Sequence, residues 1–345
     1  MSQVGNIASP SCIEYSFEQL QNATNHFSDK YRLGEGGFGP VFKGSLIHTT
    51  VAIKQLRKES GNLNTKMARD QFVTEVDILT RYRHPNLLTL MGFCAESDNF
   101  CLVYEFMPNG TLEDALANSA VKKPELAWEV RMSIVCDTAR ALLYLHTACD
   151  KSPLVHRDVK SANVLLDVSC RAKLGDFGLA RALGDKNLDT TKHIIGTSGY
   201  IPPEYYRGYV TIKMDSYAFG VILLEIITGK PSYDSERNPN DLITYMDPYI
   251  SNTVIGSKYD IMTTVDKTCG RWPPKSIHDL CGVVRRCLKD KPMERATIED
   301  IYPVLEKTQR EAALKTIKLE KQLIEKRTQY TEKLKQQQHE KQKRH

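Results

Sequence analysis

The strand-like residues that come directly after a run of glycines constrain the fold most. Gly34-Glu35-Gly36-Gly37-Phe38-Gly39-Pro40-Val41 fits the pattern G-x-G-x-x-G-x-V. Glycines let a main chain approach a polyphosphate closely enough for its N–H groups to donate to the oxygens. A dinucleotide-binding βαβ unit would open a helix directly after such glycines. Here strand-like Val41-Phe42-Lys43 comes next, with Thr50-Val51-Ala52-Ile53-Lys54 beyond it. The glycines therefore read as a turn among strands, and the pattern gains meaning only from what the rest of the chain supplies.

Upstream, Ser16-Phe17-Glu18-Gln19 has the form of a capping box, a Ser at the cap and a Gln three residues on. Phe17, Leu20, Thr24 and Phe27 continue at helical spacing, so a short amphipathic helix is expected to pack on the residues after it. From Tyr31 to about Tyr104 the pattern is mostly strands. One helix interrupts them from about Lys66 to Tyr82, with Phe72, Val76 and Leu79 on one face. Pro108-Asn109-Gly110 is a strong turn. After it helices dominate, most clearly Arg131 to Leu145, Met214 to Thr228 and a segment around Leu280 to Leu288. Strands followed by helices give an α+β chain, a small β-rich lobe joined to a larger, mainly helical one. The expected division is an extension over 1–30, a first lobe over 31–104, a second over 105–305 and a charged helical or disordered tail over 306–345.

Charge and cysteine usage narrow the compartment and the partners. The chain carries +5 overall, but residues 304–345 hold twelve Lys and Arg against six Glu, which leaves the body near −1. A nucleic-acid groove in the folded part is therefore not expected. Nine Cys occur singly and none at a CxxC spacing, which argues against a metal site or disulfide framework and for a reducing compartment. Met1 to Pro10 lacks the basic and apolar regions of a signal peptide. The longest apolar stretch, Phe219 to Ile227, is interrupted by Glu225 and is too short to span a bilayer. A cytoplasmic protein with no integral membrane segment is expected.

The residues that carry chemistry cluster in two runs. His156-Arg157-Asp158-Val159-Lys160-Ser161-Ala162-Asn163 is followed by Asp176-Phe177-Gly178. In that set Asp158 would orient a hydroxyl as its proton leaves, and Lys160 would pair with a transferred phosphoryl group. Asn163 and Asp176 offer hard oxygen ligands to Mg²⁺. Lys54, on its strand, supplies a point charge for α- and β-phosphates. Glu75, 21 residues further on in the expected helix, would hold that Lys by an ion pair. Glu59 is a rival by charge, but it sits in a polar loop, whereas Val73 and Val76 flank Glu75.

From about Phe17 to Leu305 the chain resembles the bilobal eukaryotic protein-kinase fold. Within it, the chain is similar to the branch of interleukin-1-receptor-associated kinases, Pelle and plant receptor-like kinases. Phe17-Glu18-Gln19-Leu20-Gln21-Asn22-Ala23-Thr24-Asn25-His26-Phe27, Leu102-Val103-Tyr104-Glu105-Phe106-Met107-Pro108-Asn109-Gly110 and Gly199-Tyr200-Ile201-Pro202-Pro203-Glu204 carry that likeness. The resemblance implies ATP with Mg²⁺, or Mn²⁺ in its place. Gly34, Gly36, Gly37 and Gly39 would cover the phosphates. Tyr104 would be the gatekeeper, and Glu105 and Met107 the hinge that meets adenine through the main chain. Leu165 would lie beneath the ring with Val41 and Ala52 above it, and Asp114 near the ribose. Asp215 would brace the catalytic loop, and Glu204 with Arg295 would form a structural ion pair. Pro203 replaces the Ala of the A-P-E motif, and Pro40 removes an N–H just after the glycines; loop flexibility is expected to change, and ATP binding is not.

Tyrosine kinases place Ala-Ala-Arg or Arg-Ala-Ala between the catalytic Asp and Asn. This chain has Val159-Lys160-Ser161-Ala162, and Thr197 fits the Thr that bonds the catalytic Asp and Lys in serine/threonine kinases. The same resemblance implies protein substrates, an upstream receptor or adaptor complex, and self-association during trans-phosphorylation. Arg157 marks control by activation-loop phosphorylation, with Thr190, Thr191, Thr197 and Ser198 as candidates and Thr191 favoured. The alternative is a pseudokinase-like scaffold. Its usual mark is a broken Lys, Asp or Asn, and Lys54, Asp158, Asn163 and Asp176 are all present.

Overall fold

The computed structural model describes residues 12–314 apart from 37–38, 57–61, 97–98, 118–125, 149–151, 185–187, 192–194 and 252–255, together with Glu325. For 62–67 it describes the backbone alone. The first lobe comprises β1 (Ile13–Glu14), α1 (Phe17–Ala23), β2 (Arg32–Gly36), β3 (Gly39–Leu46), β4 (Thr49–Gln55), α2 (Asn62–Arg81), β5 (Leu90–Glu96) and β6 (Asn99–Glu105). Its strands form one six-stranded sheet in the order β1-β5-β6-β4-β3-β2. The glycine run is the turn of the β2–β3 hairpin, where Gly36 pairs with Gly39. The turn thus sits at the sheet's outer edge, and every residue of β2 is exposed. Helix α2 begins at Asn62, ahead of the expected Lys66. It buries Phe72, Val76 and Leu79 as the periodicity predicts. Phe72 meets the rings of Phe93 and Phe100, centroids 5.9 and 5.0 Å away.

The capping box forms as the sequence predicts: Ser16 N donates to Gln19 Oε1 at 2.8 Å and Gln19 N to Ser16 Oγ at 3.1 Å. It starts α1 at an angle that drives Leu20, fully buried, onto Cys94, Cys101 and Val103 of the sheet. The two-residue strand β1 is not foreseen. It pairs parallel with β5 opposite Gly92 and Phe93. A Cβ at position 92 would stand 2.4 Å from both the Ile13 carbonyl and the Tyr15 ring, so only glycine lets this strap lie down.

The second lobe contains α3 (Leu112–Leu116), α4 (Trp128–Thr147), β7 (Leu154–Val155), β8 (Val164–Leu166), β9 (Ala172–Leu174), β10 (Arg181–Ala182), β11 (Asp189–Thr190), β12 (Tyr209–Val210), α5 (Lys213–Thr228), α6 (Leu242–Ser251) and α7 (Pro274–Cys287). Helix α5 is its axis, since every residue from Met214 to Thr228 is buried. A helix apolar all round belongs in a core. Gly220 allows α7 to close on it, for a Cβ there would meet Cys287 Cβ at 2.7 Å. A last helix over 298–314 buries Ile298, Ile301, Leu305, Thr308 and Ala312. The expected division at Leu305 therefore falls within a continuous packed helix. Of the expected tail, 315–345 other than Glu325 lie outside the described residues.

Candidate active site

The hairpins of the second lobe and the sheet of the first face each other across a cleft, and the predicted side chains meet there. Lys54 projects from β4, where it is paired with Val41 on β3 and Leu102 on β6. Its Nζ lies 2.9 Å from Asp176 Oδ1 and 3.4 Å from Glu75 Oε2. The other Glu75 oxygen accepts from Phe177 N at 3.1 Å, so one helix residue fixes both the Lys and the segment that bears Asp176. Glu59, the rival by charge, lies outside the described residues. Burial would lower the Lys54 pKa, but the charges of Asp176 and Glu75 outweigh it and the ammonium is held more firmly than usual. Burial raises Glu75 against the pull of Lys54. For Asp176 burial also acts upward, yet Lys54 prevails and holds the carboxyl below its ordinary value. Asp176 adopts φ 63°, a left-handed backbone uncommon for a non-glycine residue and a kind of strain that gathers at functional positions.

Below the cleft, Asp158, Lys160, Asn163 and Thr197 form a closed set. Lys160 Nζ lies 2.9 Å from Asp158 Oδ2 and donates to Thr197 Oγ1 at 2.8 Å, while Thr197 donates to Asp158 Oδ1 at 3.1 Å. Asn163 Nδ2 donates to the Asp158 carbonyl at 2.8 Å and to Oδ2 at 3.0 Å. This fixes the amide so that Asn163 Oδ1 has no hydrogen-bond partner among the described residues. The loop stands on α5: Asp215 accepts from His156 N at 2.9 Å and Arg157 N at 3.0 Å, with His146 Nε2 at 2.8 Å. The His156 ring packs edge-on against Phe177, centroids 4.8 Å apart, which ties the loop to the Asp176 segment. Arg157 donates to Tyr205 Oη at 2.7 Å and to the Leu179 carbonyl at 3.1 Å. Thr191 N donates to the Gly208 carbonyl at 2.8 Å.

The remaining predicted positions ring the cleft. Ala52 pairs with Tyr104 across β4 and β6, and Glu105 ends β6, with Met107 buried just after it. Leu165 lies on β8 and bridges to Thr111, and Asp114 is an exposed residue at the start of α3. Tyr104 is buried and faces Glu75 outside hydrogen-bond geometry, leaving its hydroxyl without a partner among the described residues. Burial and then the Glu75 charge raise its pKa well above the usual value. Gly37 lies outside the described residues.

Two observations bear on what the cleft would hold. A Cβ on Gly34 would meet nothing within 4 Å, and one on Gly36 only a carbonyl at 3.9 Å, so the protein's own packing does not demand glycine there. The open space at both positions leaves room for a ligand to come close to the main chain. Asn163 Oδ1 and the Asp176 carboxylate are two hard oxygens that the motifs bring to this region. Such a pair suits Mg²⁺, which takes one or two protein oxygens and completes its shell with phosphates and water. Among the described residues no group of three or more His, Cys, Asp or Glu could hold a metal by itself.

Sequence reasoning gave no role to Ser161 or Glu225. Ser161 Oγ is 3.1 Å from Tyr200 Oη and donates to Glu225 Oε1 at 3.2 Å. Tyr200 donates to the other Glu225 oxygen at 2.8 Å, and Ser232 N donates to the first at 3.2 Å. Burial pushes the Glu225 carboxyl up to about 7, against the lowering effect of these donors. The available signal was the single charge interrupting the apolar run from Phe219 to Ile227.

A family model for the protein kinase domain matches residues 27–304. The chain belongs to the protein kinase family. It is 38% identical over 317 residues to the probable serine/threonine-protein kinase PBL2 of Arabidopsis thaliana, covering 87% of this chain and 71% of that one. The probable serine/threonine-protein kinase PBL7 of the same plant is 39% identical over 300 residues, 84% of this chain and 76% of that one. Serine/threonine-protein kinase PBS1, also from Arabidopsis thaliana, is 38% identical over 298 residues, 84% of this chain and 63% of that one. Among the described residues no helix is long and apolar enough to cross a membrane.

Proposed function

We propose that the chain transfers the γ-phosphate of ATP to Ser or Thr hydroxyls of protein substrates. The observation that carries this reading is the closed set of Asp158, Lys160 and Thr197, each within 3.1 Å of the next. Asp158 would accept a hydrogen bond from the incoming hydroxyl and take up its proton as the new O–P bond forms and the bond from the γ-phosphorus to the β–γ bridging oxygen breaks, with ADP leaving. Lys160 would offset charge on the transferring phosphoryl group, and Thr197 would hold both at one spacing. Lys54 would bind the α- and β-phosphates, kept in place by Glu75. Asn163 and Asp176 would hold Mg²⁺, whose charge would offset that of the phosphates. Glu105 N already donates to the Thr89 carbonyl at 3.1 Å. Adenine would therefore meet the Glu105 carbonyl and the Met107 N–H, between Leu165 below and Val41 and Ala52 above.

Likeness to the receptor-like kinase branch, shared with interleukin-1-receptor-associated kinases, supports a place in receptor-proximal signalling, with an upstream receptor or adaptor complex. Arg157 lies next to Asp158 in the catalytic loop and supports activation by loop phosphorylation at Thr191, in trans between transiently associated copies. Incubation of wild type and Asp176→Ala with ATP and Mg²⁺, with phosphosites mapped by mass spectrometry, tests these statements together. Phosphate on Ser and Thr, including Thr191, in wild type alone is expected. No incorporation by wild type would overturn the activity, and incorporation mainly on Tyr would overturn the acceptor class.

A further inference from the structure

One ion pair joins the end of β6 to β9, the strand that leads to Asp176. Lys173 Nζ lies 2.7 Å from Glu105 Oε1 and 2.9 Å from Oε2, so both oxygens are engaged. Their side chains are 17% and 29% exposed, which shields the pair from much of the screening a surface pair would feel. Glu105 Oε1 also accepts from Thr89 N at 2.8 Å, and Glu105 N returns a hydrogen bond to the Thr89 carbonyl at 3.1 Å. The carboxylate therefore gathers the end of β6, the residue before β5 and the middle of β9.

Position in the chain gives the pair its consequence. Glu105 ends the strand whose main chain the adenine would meet. Lys173 lies in β9, and Asp176 follows that strand by two residues. Next to the pair, Leu88 N donates to the Leu174 carbonyl at 2.9 Å and Leu174 N to the Asn86 carbonyl at 2.8 Å. Asn86 Nδ2 donates to the Ala172 carbonyl at 3.0 Å. These bonds fix β9 to the loop after α2, but none of them reaches the strand that holds adenine. Glu105–Lys173 does.

We infer that Lys173 is a positioning residue that locks the adenine-binding strand to the metal-binding Asp176 through the Glu105 side chain. The inference rests on the nucleotide-binding reading above. The pair is formed with Lys54 joined to both Glu75 and Asp176. Breaking it lets the two ends of the site drift apart, and a ligand that spans both must bring them back together. Adenosine touches one end; Mg²⁺ with a non-hydrolysable ATP analogue touches both.

Calorimetric titration of wild type, Lys173→Gln and Lys173→Arg with each ligand separates locking from simple stabilisation. Lys173→Gln is expected to weaken binding of the Mg²⁺–analogue complex by about fivefold while adenosine binding changes less than about twofold. Lys173→Arg, which keeps the charge and can grip both oxygens, is expected to restore it. Equal affinity of wild type and Lys173→Gln for the Mg²⁺–analogue complex, an equal loss for both ligands, or tighter binding by Lys173→Gln would overturn the inference. Amide exchange on the nucleotide-free proteins is the second readout. Faster exchange at Thr89 and Glu105 in Lys173→Gln, but not in Lys173→Arg, is expected, and unchanged exchange would overturn the lock. A wild type that binds neither ligand would overturn the kinase reading itself, and the lock is then decided by the exchange data alone.

Discussion

The roof and the floor of the cleft are held in different ways. The roof is an edge hairpin, β2 and β3, with one strand wholly exposed and a glycine turn that packs on little. Beside it on β4, Lys54 is positioned by Glu75 and Asp176, which reach it from separate elements. The floor stands on α5, buried along its length, whose Asp215 and Glu225 each collect several donors from the loops above. A roof made this way can move with a nucleotide, whereas a floor made this way fixes the angle at which a hydroxyl meets it. Function and stability should therefore separate in the roof and coincide in the floor.

The largest effect expected is for Asp158→Asn, which keeps the size of the side chain but turns one of its two acceptor oxygens into a donor and removes the proton acceptor. Turnover should fall by about 10²–10⁴-fold with the melting temperature unchanged. Retained turnover would remove Asp158 from the mechanism. The comparison itself is broken or upheld by a pair of variants. Asp215→Ala strands the N–H groups of His156 and Arg157 in the interior, and should cost about 3–5 kcal/mol in denaturant unfolding as well as activity. Glu75→Gln keeps an acceptor for Phe177 N and leaves Lys54 paired with Asp176. It should lower activity by about tenfold at a stability cost near 1 kcal/mol. Equal stability losses in the two would mean that roof and floor are built alike.

A smaller effect concerns pH. The Glu225 pKa rises from the ordinary carboxylate value to about 7 on folding. The folded state then binds more protons than the unfolded one between those values, so this group's contribution is full at low pH and is lost as pH rises toward 7. Glu225→Gln should flatten that slope by up to about 1.4 kcal/mol per pH unit, read from unfolding curves at pH 5 and pH 7. An identical slope in both proteins would contradict the assignment. Smallest of all, Gly34→Ala has open space for its methyl group in the protein. It should raise the KM for ATP a few-fold at unchanged stability, because only the ligand's phosphates compete for that space.

The legibility of the molecule in its sequence divides along the same line. Asp158, Lys160, Asn163 and Asp176 were legible because their spacing within short loops is itself the signal. Lys54 and Glu75 were legible because strand and helix periodicities placed them on facing elements. Asp215 came only through family resemblance, since an acid in an apolar helix does not say what lies above it. Glu225 was visible as an interruption without a purpose, and the Glu105 carboxylate was hidden behind a main-chain role. Its partner Lys173 looks like any strand lysine. Strand β1 is too short to carry a period. The last helix could have been read from Ile298, Ile301, Leu305, Thr308 and Ala312, which recur at alternating intervals of three and four residues, but the charged composition that begins near them obscured it.

The strap formed by β1 and α1 has a practical consequence. The family match starts at residue 27 and ends at 304, whereas the packed unit begins no later than the β1–β5 pairing and continues to Ala312. A fragment trimmed to the matched range would uncover the outer edge of β5, a row of unpaired peptide groups flanked by Cys94, Cys101 and Val103. Uncovered strand edges invite pairing with other chains. Such a fragment should be recovered as aggregate, whereas one spanning 12–314 should remain in solution as a monomer suitable for binding measurements.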